Sequence, residues 1–168
     1  MARVSLAKDS NSYDAVARAL SLIKSDVKVP SRPVLVKPNL VSDHVDLCAT
    51  PVAAVRAVLD FLQELGVRKF IVGEATTGDT IAAFERYGYT SLPDDYDLEL
   101  VDLRKDETVD VVAYDADCKP MTFQVARTVV DSYRVSVARM KTHNRTVATL
   151  VIKNLAVGSI IPNRSKLC

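Results

Sequence analysis

The chain has little of what would narrow its function at once. It contains no tryptophan, three cysteines and two histidines in 168 residues. Cys48, Cys118 and Cys168 are far apart and form no C-x-x-C pair. They therefore build neither a zinc ribbon nor an iron–sulfur cluster on their own. The odd count argues against a secreted disulfide scaffold, so free, reduced thiols are expected. A one-sign charge excess is missing too: the net charge is +1. No global field draws the chain to nucleic acid or to an anionic membrane, and any bound anion has to be held by local groups. Long apolar runs are also absent. The longest candidate, Val147 to Ile161, is interrupted by Lys153 and Asn154 and is too short to span a bilayer. Residues 1–10 lack the apolar run of a signal peptide, so a cytoplasmic location is expected.

What the chain does have is an ordinary supply of core-forming residues, 48% apolar against 26% charged, and the length of one domain. No internal repeat, low-complexity segment or dividing linker is visible, and residues 1–168 are expected to form a single α/β domain.

The apolar periodicity divides this domain into short elements. Tyr13, Val16, Ala17, Leu20 and Ile23 recur at helical spacing and predict a helix over 13–24, with Ser12 as N-cap. Val34–Val36, bounded by prolines, reads as a buried strand. Thr50-Pro51 reads as a helix start, with Thr50 as cap, an apolar stripe from Val52 to Leu65, and Gly66 as the stop. A strand over 69–73 follows, then a helix over 80–87 capped by Asp79 and stopped by Gly88. Leu98–Leu103 reads as a strand. Val109–Ala113 and Met121–Val125 read as a hairpin about the polar turn 115–119. A short helix over 126–131, a strand over 134–138 and a mostly apolar helix over 146–157 complete the chain. The alternation of strand and helix predicts an α/β fold: an open, largely parallel sheet with helices on both faces and a small antiparallel hairpin.

Three of these strands close on charged groups, in the segments Val34-Leu-Val-Lys-Pro-Asn39, Phe70-Ile-Val-Gly-Glu74 and Val135-Ser-Val-Ala-Arg-Met-Lys-Thr-His143. In open α/β sheets ligands bind outside the carboxyl ends of the strands. Pro38 is expected to stop the sheet ladder and aim Lys37 and Asn39 out of the strand end. The loop Gly73-Glu-Ala-Thr-Thr-Gly-Asp79 offers amides to an anion, yet it is neither a Walker A loop nor a G-x-G-x-x-G turn, and a simple turn before an Asp79 cap serves it equally well. Met140 to Arg145 is the densest polar cluster after a strand: Lys141, His143 and Arg145 suit an anion or an acid–base pair, and the bland alternative is a solvated loop. Lys153 and Asn154 interrupt an apolar helix. Lys153 needs a carboxylate such as Glu74, a ligand, or a route to water. His44, Asp46 and Cys48 alternate, but their spacing matches no standard zinc motif, and a polar loop is the preferred reading.

In order along the chain, Val-Leu-Val-Lys-Pro-Asn-Leu (34–40), Ala-Thr-Pro (49–51), Val-Gly-Glu (72–74), Arg-Tyr-Gly-Tyr (86–89), Met-Lys-Thr-His (140–143) and Ile-Lys-Asn-Leu (152–155) form a distinctive set. The set resembles the bacterial and archaeal family catalogued as domain of unknown function 362, over roughly residues 34–158. The resemblance implies an α/β domain with a site around the Lys-Pro-Asn, Lys-Thr-His and Lys-Asn segments. It also implies redox company, because relatives are often joined to a ferredoxin-like iron–sulfur module. That module and its cysteine spacing are absent here, so no cluster is assigned to this chain.

Two functional expectations follow. One is a redox-linked enzyme acting on a small anionic ligand. In it Lys37, Asn39, Lys141, Thr142, Lys153 and Asn154 bind, Glu74 and His143 are catalytic, no metal ligand is assigned, and the cofactor is unspecified. The other is a noncatalytic binding or assembly domain that forms a homodimer or docks to a ferredoxin-like partner.

Overall fold

The computed structural model describes residues 3–28, 31–143 and 147–161. Four strands form a parallel sheet: β1 (Val34–Pro38), β2 (Phe70–Glu74), β3 (Leu98–Asp102) and the last, Tyr133–Val137. Two more, β4 (Thr108–Tyr114) and β5 (Pro120–Ala126), make an antiparallel hairpin, so Tyr133–Val137 is β6. The parallel order is β3-β2-β1-β6. Val34, Leu35 and Val36 pair with Phe70, Ile71 and Val72 on one side. On the other side β1 pairs with β6 from Val34↔Tyr133 to Pro38↔Val137.

This order places the helices. The path β1→β2→β3 steps in one direction through α2 (Val52–Glu64) and α3 (Thr80–Arg86), and then reverses past β1 to β6. Right-handed crossovers put the first two helices on one face and the return connection on the other. The buried clusters agree. Val34, Val36, Phe70 and Val72 pack with Val55, Val58, Leu59 and Leu62 of α2 and with Ala83 and Phe84 of α3. Leu35 alternates to the opposite face, where it packs with Leu103, Ala126 and Val129. Val129 belongs to α4 (Arg127–Asp131). The N-terminal helix α1 (Ser12–Ser21) lies outside α2, to which Tyr13 is tied by its hydroxyl donating to Asp60 at 2.6 Å.

Several local expectations are corrected. Asn11, not Ser12, caps α1 by accepting from the Asp14 amide. Thr50 does not cap α2: the cap position is Pro51, and the Thr50 hydroxyl is engaged elsewhere. Pro38 stops the ladder on one side only. Pairing with β2 ends at Val36, whereas pairing with β6 runs through Lys37 and Pro38. The segment 141–143 is not a loop, and 146–157 is not one helix. Lys141–His143 (β7) and Val147–Thr149 (β8) pair antiparallel, and α5 (Val151–Ala156) begins only after Leu150. The β-branched Val147 and Thr149 favour the extended pairing over the first turn of a helix. Residues 144–146 lie outside the described residues. The helix expected over 13–24 ends at Ser21, and the remaining cap and stop residues fall as expected. Asp79 caps α3 through the Ile81 and Ala82 amides, and Gly66 and Gly88 take positive φ at 92° and 77°. Among the described residues, no helix is long and apolar enough to cross a membrane.

Candidate functional site

In an open sheet the reversal of strand order opens a crevice at the carboxyl ends of the strands. Here the reversal lies between β1 and β6. The polar ends of β1 and β2 meet there with α5 and β7.

Lys37 follows Leu35 onto the second face and is fully buried, at 0% exposure. Its ammonium pairs with Glu74 Oε1 and donates to Asn154 Oδ1 at 3.2 Å and to the Pro38 carbonyl at 3.4 Å. A buried lysine needs a carboxylate and a full set of acceptors to remain charged, and Lys37 has both. Glu74, 2% exposed, is equally complete. Its Oε1 also accepts from the Ala75 amide at 2.7 Å, and Oε2 accepts from the Leu40 amide at 2.8 Å. The chain then turns at Val41, whose φ of 45° is unusual for a β-branched residue. Thr77 holds this turn, its amide donating to the Val41 carbonyl at 3.0 Å.

Asn154 joins the elements. It is fully buried on α5, where it sits beside the partly exposed Lys153. Its amide nitrogen donates to the Lys37 carbonyl (3.2 Å), the Pro38 carbonyl (3.1 Å) and Ser136 Oγ (3.0 Å). Its oxygen accepts from Lys37 and from Asn39 Nδ2, the latter at 3.0 Å. One side chain thus stitches β1, β6 and α5 together. Gly158 makes room for this: a Cβ there would lie 3.3 Å from Lys37 Nζ and 3.4 Å from Asn154 Oδ1.

Asn39 and Thr50 continue the network outward. Thr50 Oγ1 donates to the Val137 carbonyl at 2.7 Å and accepts from the Asn39 amide at 3.0 Å. The Thr50 carbonyl accepts from the buried Tyr89 hydroxyl at 2.9 Å. Burial, with the Glu74 charge nearby, pushes that phenol well above its ordinary value. Lys141, at the start of β7, closes the network. It is partly exposed, and its Nζ donates to Asn39 Oδ1 and to the Cys48 carbonyl. Among the described residues no carboxylate lies within ion-pair distance of it. Burial holds its ammonium below the ordinary lysine range. Lys153 and Arg139 push the same way, against the opposing charges of Cys48 and Glu74.

Of the residues singled out in the sequence, Lys37, Asn39, Glu74, Lys141 and Asn154 therefore form one connected cluster, with Lys153 electrostatically coupled to it. Thr142 is exposed on β7. The His143 side chain lies outside the described residues; its backbone pairs with Val147. Glu74 is bonded to Lys37 and not to Lys153, so the carboxylate proposed for Lys153 belongs to another lysine. Arg139, Ser136, Thr50 as a site residue, the Cys48 carbonyl and Gly158 were not anticipated. Arg139, two residues before Lys141, and Thr50, in the Ala-Thr-Pro segment, left a trace in the sequence.

The Gly73–Asp79 loop is occupied by the chain's own groups. Arg104 donates to the Thr76, Thr77 and Gly78 carbonyls at 2.8, 3.1 and 2.9 Å. The Asp43 carboxylate lies against Gly78, where a Cβ would come within 2.7 Å of Oδ1. The 42–48 segment is a loop closed by a 3-10 turn. Its Asp46 is paired with Arg86 at 3.0 Å, and Asp43 with His44 at 2.5 Å.

A family model described as "Domain of unknown function (DUF362)" matches residues 34–167. The match takes in every residue of the cluster and leaves out α1. No curated protein and no solved structure matches the chain.

Proposed function

The chain belongs to the DUF362 family, and on that footing we propose that this member binds a small anion at the carboxyl ends of β1 and β6. Lys141 is the first contact, Arg139 and Lys153 lie beside it, and Thr142 is a hydroxyl donor at the rim. One observation carries this reading. Lys141 is a partly buried cation whose acceptors among the described residues are neutral oxygens, and among those residues no carboxylate lies at ion-pair distance from it, from Lys153 or from Arg139. An incoming carboxylate or phosphate supplies the missing negative charge and accepts from the remaining N–H.

Lys37 and Glu74 act differently in this proposal. They neutralise each other in the interior and, with Asn39 and Asn154, hold the strand ends in register beneath the ligand. They are frame, and the ligand side is Lys141.

Calorimetric titration with inorganic phosphate and with small dicarboxylates tests the reading. Binding is expected to weaken as salt is added and to fall about tenfold or more in Lys141→Ala, as for a lost charge-assisted hydrogen bond. Binding that is indifferent to Lys141→Ala and to Lys153→Ala rejects it.

A second reading, an assembly role through a homodimer, rests on a separate observation. α5 presents Ile152, 82% exposed, beside an apolar groove of about 610 Å³ between the hairpin and the helix. Sedimentation velocity decides it. A monomer at tens of micromolar would set this reading aside, and a dimer dissociated by Ile152→Lys would support it.

A further inference from the structure

We infer that the anion taken at this site carries an apolar tail. The ligand is an amphiphile, an alkyl or acyl chain ending in a phosphate or carboxylate, with its head at Lys141 and its tail along α5. The inference deepens the anion-binding reading and rests on it for the position of the head.

The outward face of α5 is apolar where a surface helix is expected to be polar. Asn154 points inward and is fully buried. Helical spacing then puts Ile152 and Ala156 on the opposite side, with Lys153 beside them. Ile152 is 82% exposed, and Val157, just past the helix, is 52% exposed. Leu150 and Val151, at its start, are each 49% exposed. These side chains line one open hollow of about 640 Å³, within the size range of small-molecule sites. Contiguous exposed apolar surface of this kind marks an interaction site.

The hollow adjoins the anion site. Thr149 pairs with Lys141 across β7 and β8, and Leu150 follows it directly. Lys153 lines the hollow and lies near enough to Lys141 for the two charges to interact, as do Cys48, Glu74 and Arg139.

The charges select the occupant. Among the described residues Lys141, Lys153 and Arg139 have no carboxylate at ion-pair distance, so the head they attract is an anion. A neutral apolar ligand would leave these cations unmatched, and a bare anion would leave the apolar face in water. A second copy fits less well. A two-fold contact centred on this face brings the Lys153 ammonium of each copy toward that of the other.

The test titrates the full chain, by calorimetry, with inorganic phosphate and with ethyl, butyl, hexyl and octyl phosphate below their micelle concentrations. Affinity is expected to rise about twofold per added methylene, as for a chain with one side on protein and the other in water. Leu150→Gln/Val151→Gln should flatten that rise and leave inorganic phosphate binding unchanged, which also shows that the variant is folded. Val111→Gln, which alters the groove on the other side of Ile152, should leave the rise intact. Inorganic phosphate bound with no gain from the tail overturns the inference and leaves the anion site standing. Octanol bound as tightly as octyl phosphate, with inorganic phosphate unbound, sinks the anion reading and the head assigned here with it. A gain that survives Leu150→Gln/Val151→Gln puts the tail elsewhere and overturns the inference. A dimer that must dissociate before any gain appears gives this face to a second copy and does the same. Vesicles separate the two sources of such an amphiphile. Capture of the chain by vesicles containing phosphatidic acid, and not by phosphatidylcholine alone, identifies a lipid in its bilayer; a gain with octyl phosphate and no capture identifies a free one.

Discussion

Glu74→Gln is the most informative single substitution in the buried network. Glu74 and Lys37 have side-chain exposures of 3% and 0%, so neither charge can turn to water when its partner is removed. Glutamine keeps the shape but loses the charge, leaving the Lys37 ammonium uncompensated in the interior. It also replaces one acceptor oxygen with an NH2 group. That group must face either the Leu40 amide or the Lys37 ammonium and Ala75 amide, all of them donors. Breaking a buried pair from one side costs about 3–5 kcal/mol, against a total stability of about 5–15 kcal/mol for a domain of this kind. With a urea slope of about 2 kcal/mol/M, the unfolding midpoint should fall by roughly 2 M. Urea denaturation followed by circular dichroism reads this directly. The double variant Lys37→Met/Glu74→Gln should recover at least about 2 kcal/mol relative to Glu74→Gln, because the uncompensated charge is gone. A single variant within about 1 kcal/mol of the parent protein, or a double variant no better than the single one, would refute the buried ion pair as the centre of the network.

Gly158→Ala should cost about 1–3 kcal/mol in a thermal melt, since the added methyl crowds an ammonium and an amide that are both held in place; an unchanged Tm would mean that α5 does not press on Lys37. Tyr96 is held up to about 12 by burial and by its hydrogen bond to Asp60. Its phenol therefore stays protonated in the fold while the unfolded chain ionises near 10, and stability should fall as pH rises from about 10 to 12. Tyr96→Phe should flatten that fall, and an equally steep loss in the variant would assign the alkaline sensitivity to another group.

The fold was legible where local chemistry and tertiary structure agree. Short β-branched runs bounded by proline and glycine gave β1 and β2. Asp79 capped α3 with its own side chain, and Gly66 and Gly88 took the positive φ that their positions required. Legibility failed where a side chain had two uses. Thr50 is a good helix cap, but its hydroxyl satisfies the Val137 carbonyl and the Asn39 amide, and only the tertiary structure brings these to it. Pro38 lacks an N–H, yet it stays in the ladder with β6. Residues 147–149 have an apolar pattern that suits a helix, and pairing with Lys141–His143, invisible in periodicity, draws them into a strand.

At the site, the charged ends of the strands were readable as a group because each closes an apolar run. Their division of labour was not. Lys37 and Lys141 look alike in the sequence, each a lysine at or beyond a strand end. Only the fold gives one three acceptors, a carboxylate among them, and the other, among the described residues, two neutral carbonyl oxygens. Lys153 drew attention as a charge in an apolar helix, while its neighbour Asn154 is the buried residue that joins three elements. A neutral amide in an apolar run carries no charge to signal its burial.

The division between Lys37 and Lys141 is tested most directly by NMR of the protein labelled with ¹³C and ¹⁵N at lysine, observing the Cε and Nζ signals as inorganic phosphate is added. The expected result is a saturable shift of the Lys141 signals, a smaller one at Lys153, and none at Lys37, whose charge is already matched by Glu74. Movement of Lys37 with Lys141 unmoved would contradict it, and would make the buried pair, not the partly exposed lysine, the place where the anion binds.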